Sequence, residues 1–207
     1  MIRQILLGLL LACTALSAAA QLSDWREHTQ HFRDTLTAEY MDSARSPLTD
    51  EALATFHGHT FFPARKKFFV VSRLERTPND TPFEMPTSSG ITKTFVRYGI
   101  AHFTLGGKEH HLNVYRNLKL AATEEYKNHL FLPFTDETTG EETYGGGRYI
   151  DLEIPDNDEL VINFNTAYNP NCAYSTGWNC PIVPRENHLP VKVKAGVKGT
   201  TGSSSSH

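Results

Sequence analysis

Thr92 to Asn117 reads TKTFVRYGIAHFTLGGKEHHLNVYRN, and the fold turns on this stretch. Two runs rich in aromatic and β-branched residues flank Gly106-Gly107, a dipeptide that readily supplies the positive φ angles of a two-residue hairpin turn. The turn sets the register: Leu105 faces Lys108, Phe103 faces His110, and His102 faces His111. On the N-terminal side, Phe68 to Leu74 has strand composition. Thr77 to Ser89 carries Pro78, Pro82 and Pro86 and reads as loop or edge. On the C-terminal side, Arg148 to Ile154 and Leu160 to Thr166 flank Pro155-Asp156-Asn157-Asp158-Glu159, which predicts a second hairpin. Leu189 to Ala195 is read as a last strand.

Ahead of the strands the period changes. Asp24 and Glu27 have capping-box spacing, and Trp25, Phe32, Leu36 and Tyr40 fall on one face at helical intervals. The spacing predicts a helix from Asp24 to Met41, with His28 and His31 on its exposed side. Ser46-Pro47 breaks the chain before a short second helix over Thr49 to Phe56. Short strands with turn signals and only terminal helices predict a mainly β, α+β fold: an antiparallel β-barrel or sandwich-like sheet with an N-terminal amphipathic helix.

Both ends of the 207-residue chain fall outside that domain. Residues 1–20 combine Arg3, an apolar run from Ile5 to Leu11 and small residues, and the run is too short to span a bilayer as a helix. This pattern reads as a signal peptide cleaved after Ala20, leaving Gln21 first. A competing reading takes Leu10-Leu11-Ala12-Cys13 as a lipoprotein box with a lipid anchor on Cys13. Either reading exports the protein, to the periplasm or beyond, into an oxidising compartment. Loss of Arg3 with the leader moves the formal charge from -3 to -4. Gly199 to His207 is a flexible Ser-rich tail, so residues 21–198 form a single globular domain.

Composition narrows the function. Hydrophobic residues at 39% suffice for a core, and a formal charge of -3 offers no basic field for nucleic acid or an anionic membrane. There is no GxSxG, HExxH or Walker loop. Gly145-Gly146-Gly147 leads into a strand pattern, so no helix N-terminus awaits a phosphate there. Asp136, Glu137, Glu141 and Glu142 lack EF-hand spacing. His102, His111 and Glu109 are a metal-capable set, but a solvated strand face is the plainer reading. No metal and no cofactor is assigned.

From Phe131 the chain reads FLPFTDETTGEETYGGGRYIDLEIP, then VINFNTAYNPNCAYSTGWNCPIVPRENHLPVKVKAG. Thr143 to Leu152, Asn163 to Pro170, the cysteines 172 and 180, Cys180 to Pro184 and Asn187 to Gly196 together resemble the bacterial and archaeal domain of unknown function 1684 family. The SPLTDE and GITKTFVRYG segments extend the resemblance across nearly all of residues 21–198. One departure is Asn163, where the family often has Asp, so no role needing a carboxylate there applies to this chain. The resemblance implies a shared site and names no activity.

The residues suggest where such a site lies. Pairing Ile154 with Leu160 in the second hairpin puts Ile150, Leu152, Ile162 and Phe164 on one apolar face. The opposite face then carries Tyr149, Asp151, Asn163 and Asn165, with Asp151 meeting Asn163. Short, directional groups on that face, rather than long charged ones, suit an enclosed site. With Arg148, Tyr168 and Asn169 they predict a polar pocket for a small molecule. The alternative is a structural knot in which these side chains tie down irregular backbone. Cys172 and Cys180 are first read as a disulfide, with zinc involving His188 and free thiols as alternatives. Two functions follow: an exported small-ligand-binding protein, or a hydrolase-like enzyme using Asp151 as general base with Arg148 and the asparagines as donors.

Overall fold

The computed structural model describes residues 25–199. Residues 1–20, read from the sequence as a signal peptide, Asp24, read as a helix cap, and the tail from Thr200 lie outside the described residues. In chain order come helices α1 (residues 25–41) and α2 (Asp50–Ala54), strands β1 (Phe69–Arg76), β2 (Phe83–Pro86), β3 (Thr92–Leu105) and β4 (Lys108–Asn117), and helix α3 (Leu118–Ala121). Strands β5 (His129–Asp136), β6 (Arg148–Glu153), β7 (Glu159–Asn163) and β8 (His188–Leu189) follow. They form a mainly antiparallel sheet curled into a half-barrel.

The β3–β4 hairpin is as the sequence predicts: Leu105 opposes Lys108 and His102 opposes His111. Gly106 and Gly107 take φ of 62° and 78°, the left-handed pair this turn needs. The sheet order is β6-β5-β4-β3-β1-β7, with β2 on β3 and β8 beside β5. The proline-rich stretch supplies β2, an edge strand of four residues, in keeping with proline's missing donor.

The second hairpin does not form. β6 pairs with β5, placing Asp151 opposite Phe131 and Tyr149 opposite Pro133. β7 pairs with β1, placing Asn163 opposite Phe69. Strands adjacent in sequence are therefore the two edges of the sheet, and its curl brings those edges back toward each other. The strand that claims β6 is β5, whose central Pro133 hides it from pattern reading. The seam is partly closed by Tyr168, which exchanges backbone hydrogen bonds with Tyr149 at 2.9 and 3.0 Å.

Alternation along β6 and β7 still sorts the faces correctly. Ile150, Leu160 and Ile162 join Phe103, Leu132 and Phe134 in the concave core. Tyr149 packs with Met85, Phe95, Tyr115 and Phe131 in a second cluster. Helix α1 turns Trp25, Thr29, Phe32, Leu36 and Tyr40 inward, and His28 and His31 outward. It lies against the seam, with Phe32 6.3 Å from Tyr168 and Thr29 accepting from Asn163. α2 is capped by Thr49, whose hydroxyl accepts the Ala52 N–H. Among the described residues no helix is long and apolar enough to cross a membrane.

The last predicted strand is realised only at His188–Leu189. Pro190 lacks the N–H to continue a ladder. Residues 193 to 197 are held instead by side chains of β5 and β6, and this sets the roles of Asp136 and Arg148.

Candidate functional site

Arg148 begins β6 just after Gly147, whose φ is 85°. A Cβ on Gly147 would stand 2.7 Å from both the Phe134 carbonyl oxygen and Val183, so only glycine lets the chain enter the strand here. The Arg148 side chain is 1% exposed. Its guanidinium donates to the carbonyls of Ala195 and of Val193, the latter at 2.9 Å. It pairs with Asp136 at 3.4 Å. Asp136 in turn accepts the Val193 N–H at 2.5 Å and the Thr138 hydroxyl at 2.8 Å. Burial draws the Arg148 pKa down to about 10 against the pull of Asp136. Removing one partner of such a pair costs about 3–5 kcal/mol. The fork that was expected to face a ligand therefore clamps the C-terminal segment.

The asparagines are also turned inward. Asn163 Oδ1 accepts from the Asn165 N–H and amide, at 3.1 and 2.9 Å. Asn165 accepts from the Arg65 N–H at 2.9 Å and donates to the Arg65 carbonyl at 3.1 Å, pinning the entry to β1. Asn169 donates to the Lys198 carbonyl at 3.0 Å. All three are buried. The Tyr149 hydroxyl donates to the Pro181 carbonyl, and burial raises its pKa. These contacts have the pattern of the structural knot.

Asp151 and Tyr168 differ. Asp151 faces outward from β6 with its side chain 48% exposed. Its Oδ2 accepts the Tyr168 hydroxyl at 2.7 Å, and its Oδ1 meets His129 Nε2 at 2.8 Å. Tyr168 is pushed well above its ordinary pKa, first by burial and then by Asp151, so it remains a donor. Tyr126 stands edge-on to the His129 ring at 5.9 Å. His129 also lines an open cavity of about 450 Å³ with Glu124, Glu125, Tyr126, Lys127, Asn128 and Glu153. The Lys127 amine pairs with Glu124, so the lining is negative overall.

The structure thus brings Asp151 and Tyr168 together at the surface and directs Arg148, Asn163, Asn165 and Asn169 into the scaffold. His129 and Tyr126 escaped the sequence reading. The signal was the apolar run Leu130 to Phe134, which makes β5 and sets His129 beside Asp151 through the His129–Glu153 register.

Cys172 and Cys180 form a disulfide, with Cα atoms 6.3 Å apart. It closes a loop that docks on β2 through Ser88 N–H to the Cys180 carbonyl and Ile182 N–H to the Pro86 carbonyl, both 2.9 Å. His102 and His111 are cross-strand neighbours with centroids 6.1 Å apart, and His102 Nε2 lies 3.1 Å from Glu75. No group of three His, Cys, Asp or Glu side chains suited to a metal ion occurs among the described residues.

Comparison with known proteins adds family and fold. Residues 54–198 match a family described as protein of unknown function (DUF1684). Among solved structures, the solution NMR structure of an uncharacterised protein of Haloarcula marismortui is similar, with 31% sequence identity and a TM-score of 0.70. The match covers 89% of this chain and 98% of that one. No curated protein matches. The family match spans well over half of the chain and includes the Arg148 clamp, the disulfide and the Asp151–Tyr168 pair; the chain belongs to the DUF1684 family of proteins of unknown function.

Proposed function

We propose that this is an exported small-ligand-binding protein whose site is the cavity beside His129, Asp151 and Tyr168. The observation that carries the reading is the exposed Asp151, oriented by Tyr168 on one oxygen and His129 on the other, next to an open concavity that His129 itself lines. Polar groups fixed at the rim of a concave surface are what a ligand site requires. Glu124, Glu125 and Glu153 outnumber the single Lys127 in the lining, and Tyr126 offers a ring. That chemistry favours a ligand carrying an amine, held by carboxylates and an aromatic face. Export rests on the leader sequence, and the disulfide suits an oxidising compartment.

A hydrolytic role for Asp151 has less support. Both its oxygens already accept hydrogen bonds, and Arg148 and the asparagines, its proposed partners, serve the scaffold.

Calorimetric titration of the folded chain with spermidine tests the reading. Saturable binding is expected, weakened at least tenfold by Glu153→Gln and by Tyr126→Ala. A flat titration, or equal affinity in both variants, overturns it.

A further inference from the structure

His59 stands where three parts of the chain meet, inside a box of four aromatic rings. Tyr40 comes from α1, Phe56 and Phe61 flank His59, and Tyr174 comes from within the disulfide loop. Their centroids lie 4.4, 5.2, 5.9 and 5.6 Å from the imidazole. Nδ1 is 3.2 Å from the Tyr174 hydroxyl, and Nε2 is buried with no hydrogen-bond partner. The same rings tie α1 down: Tyr40 packs on Tyr174 at 5.0 Å and its hydroxyl donates to Asn171 at 3.1 Å.

The charges around the box are mixed, two cations against one carboxylate, and none of them pairs with His59. From α1, Arg33 lies 4.6 Å over Phe61, and the field of Glu39 reaches Tyr40. From the C-terminal segment, Lys198 lies 5.1 Å over Phe62. Tyr40 and Tyr174 are phenols whose pKa values burial raises, so neither supplies an anion. Among the described residues no carboxylate pairs with His59.

We propose that His59 is an acid-sensitive latch: the charged imidazole meets no carboxylate in the aromatic box and its Nε2–H has no acceptor there, and protonation releases α1 from the 171–175 segment. Burial holds the His59 pKa down at about 4, against 6.5 for the free side chain. The docked state is therefore fully favoured above about pH 6.5 and loses ground as pH falls toward 4, below which nothing more is lost. A gap of about 2.5 units raises the ratio of released to docked helix by up to about 300-fold. The latch is independent of the cavity at His129.

The test uses the full chain with Trp178→Phe, leaving Trp25 of α1 as the sole tryptophan reporter. Its emission should shift to the red, reversibly, between pH 6.5 and 4, while the far-ultraviolet β signal persists. His59→Phe keeps the box filled without a titrating group and should flatten that transition. A flat wild-type curve, or the same transition in His59→Phe, overturns the proposal. Should His59→Phe not fold, NMR titration of the His59 ring in the wild type decides. A midpoint near 4 that coincides with the Tyr40 shift upholds the latch, and a midpoint near 6.5 with α1 in place refutes it.

Discussion

Replacing Asn187 with alanine should be among the most damaging single changes to this fold. β4 and β5 share only one paired position, Tyr115 with Phe131, and the strands part beyond it. Into that gap goes the Asn187 side chain, 0% exposed. Its Oδ1 accepts the Asn113 N–H at 3.0 Å. Its amide donates to the Asn113 and Pro133 carbonyls at 2.9 and 2.7 Å. One side chain thus stands in for the missing rungs of a ladder. Asn187→Ala leaves three buried backbone groups without partners, each costing about 1–3 kcal/mol. Allowing for relaxation and entering water, the expected loss is about 3–5 kcal/mol, a large share of the 5–15 kcal/mol typical of a domain. Asn187→Asp should be no milder, because it loses both donors and sets a carboxylate against two carbonyls. Urea melts read this as a lowered midpoint at unchanged m-value, and hydrogen exchange should show the Asn113 amide losing protection. A loss below about 1 kcal/mol for the alanine variant would refute the splice.

Three other variants test the scaffold. Arg148→Met should cost about 3–5 kcal/mol by stranding Asp136 and the Val193 and Ala195 carbonyls, measured by denaturant melts. Amide protection at Val193 and Val197 should fall first, and a loss confined to tenths of a kcal/mol contradicts the clamp. Gly147→Ala combines a positive φ with overlap on the Phe134 carbonyl, so thermal melts should show a loss of about 2 kcal/mol or more, whereas a neutral result means the turn reshapes freely. Cys172→Ser should lower stability by roughly 2.5 kcal/mol on the chain-entropy argument for so short a loop. An unaltered melt under oxidising conditions would show that the bridge adds nothing.

How much of this was legible in the sequence depended on whether the governing interactions were local. The β3–β4 hairpin follows from two glycines and alternation, both short-range, and its register is correct throughout the tested pairs. The α1 face follows from helical period. The β6–β7 pairing was not legible because adjacency in sequence does not fix pairing in space, and the ladders of the two strands run to β5 and β1. β5 itself was hidden by Pro133, tolerated in mid-strand because the Asn187 amide serves the carbonyl of that residue while its absent N–H needs no partner. The inward turn of Arg148 was equally illegible: its partners are backbone carbonyls about fifty residues downstream, which carry no side-chain signal. Alternation did place Asp151 on the outer face, and with Tyr168, also named from the sequence, it makes up half of the candidate site. His129 and Tyr126 became visible only once β5 had a register.

The cavity beside His129, Asp151 and Tyr168 is the proposed binding site of a small amine-bearing molecule. The most direct measurement is amide chemical-shift mapping of the ¹⁵N-labelled chain during titration with spermidine. Saturable shifts are expected, concentrated at Tyr126, His129, Asp151, Glu153 and Tyr168, and abolished by Asp151→Asn while that variant keeps its fold. Absence of saturable shifts, or shifts centred away from these residues, would contradict the proposed site.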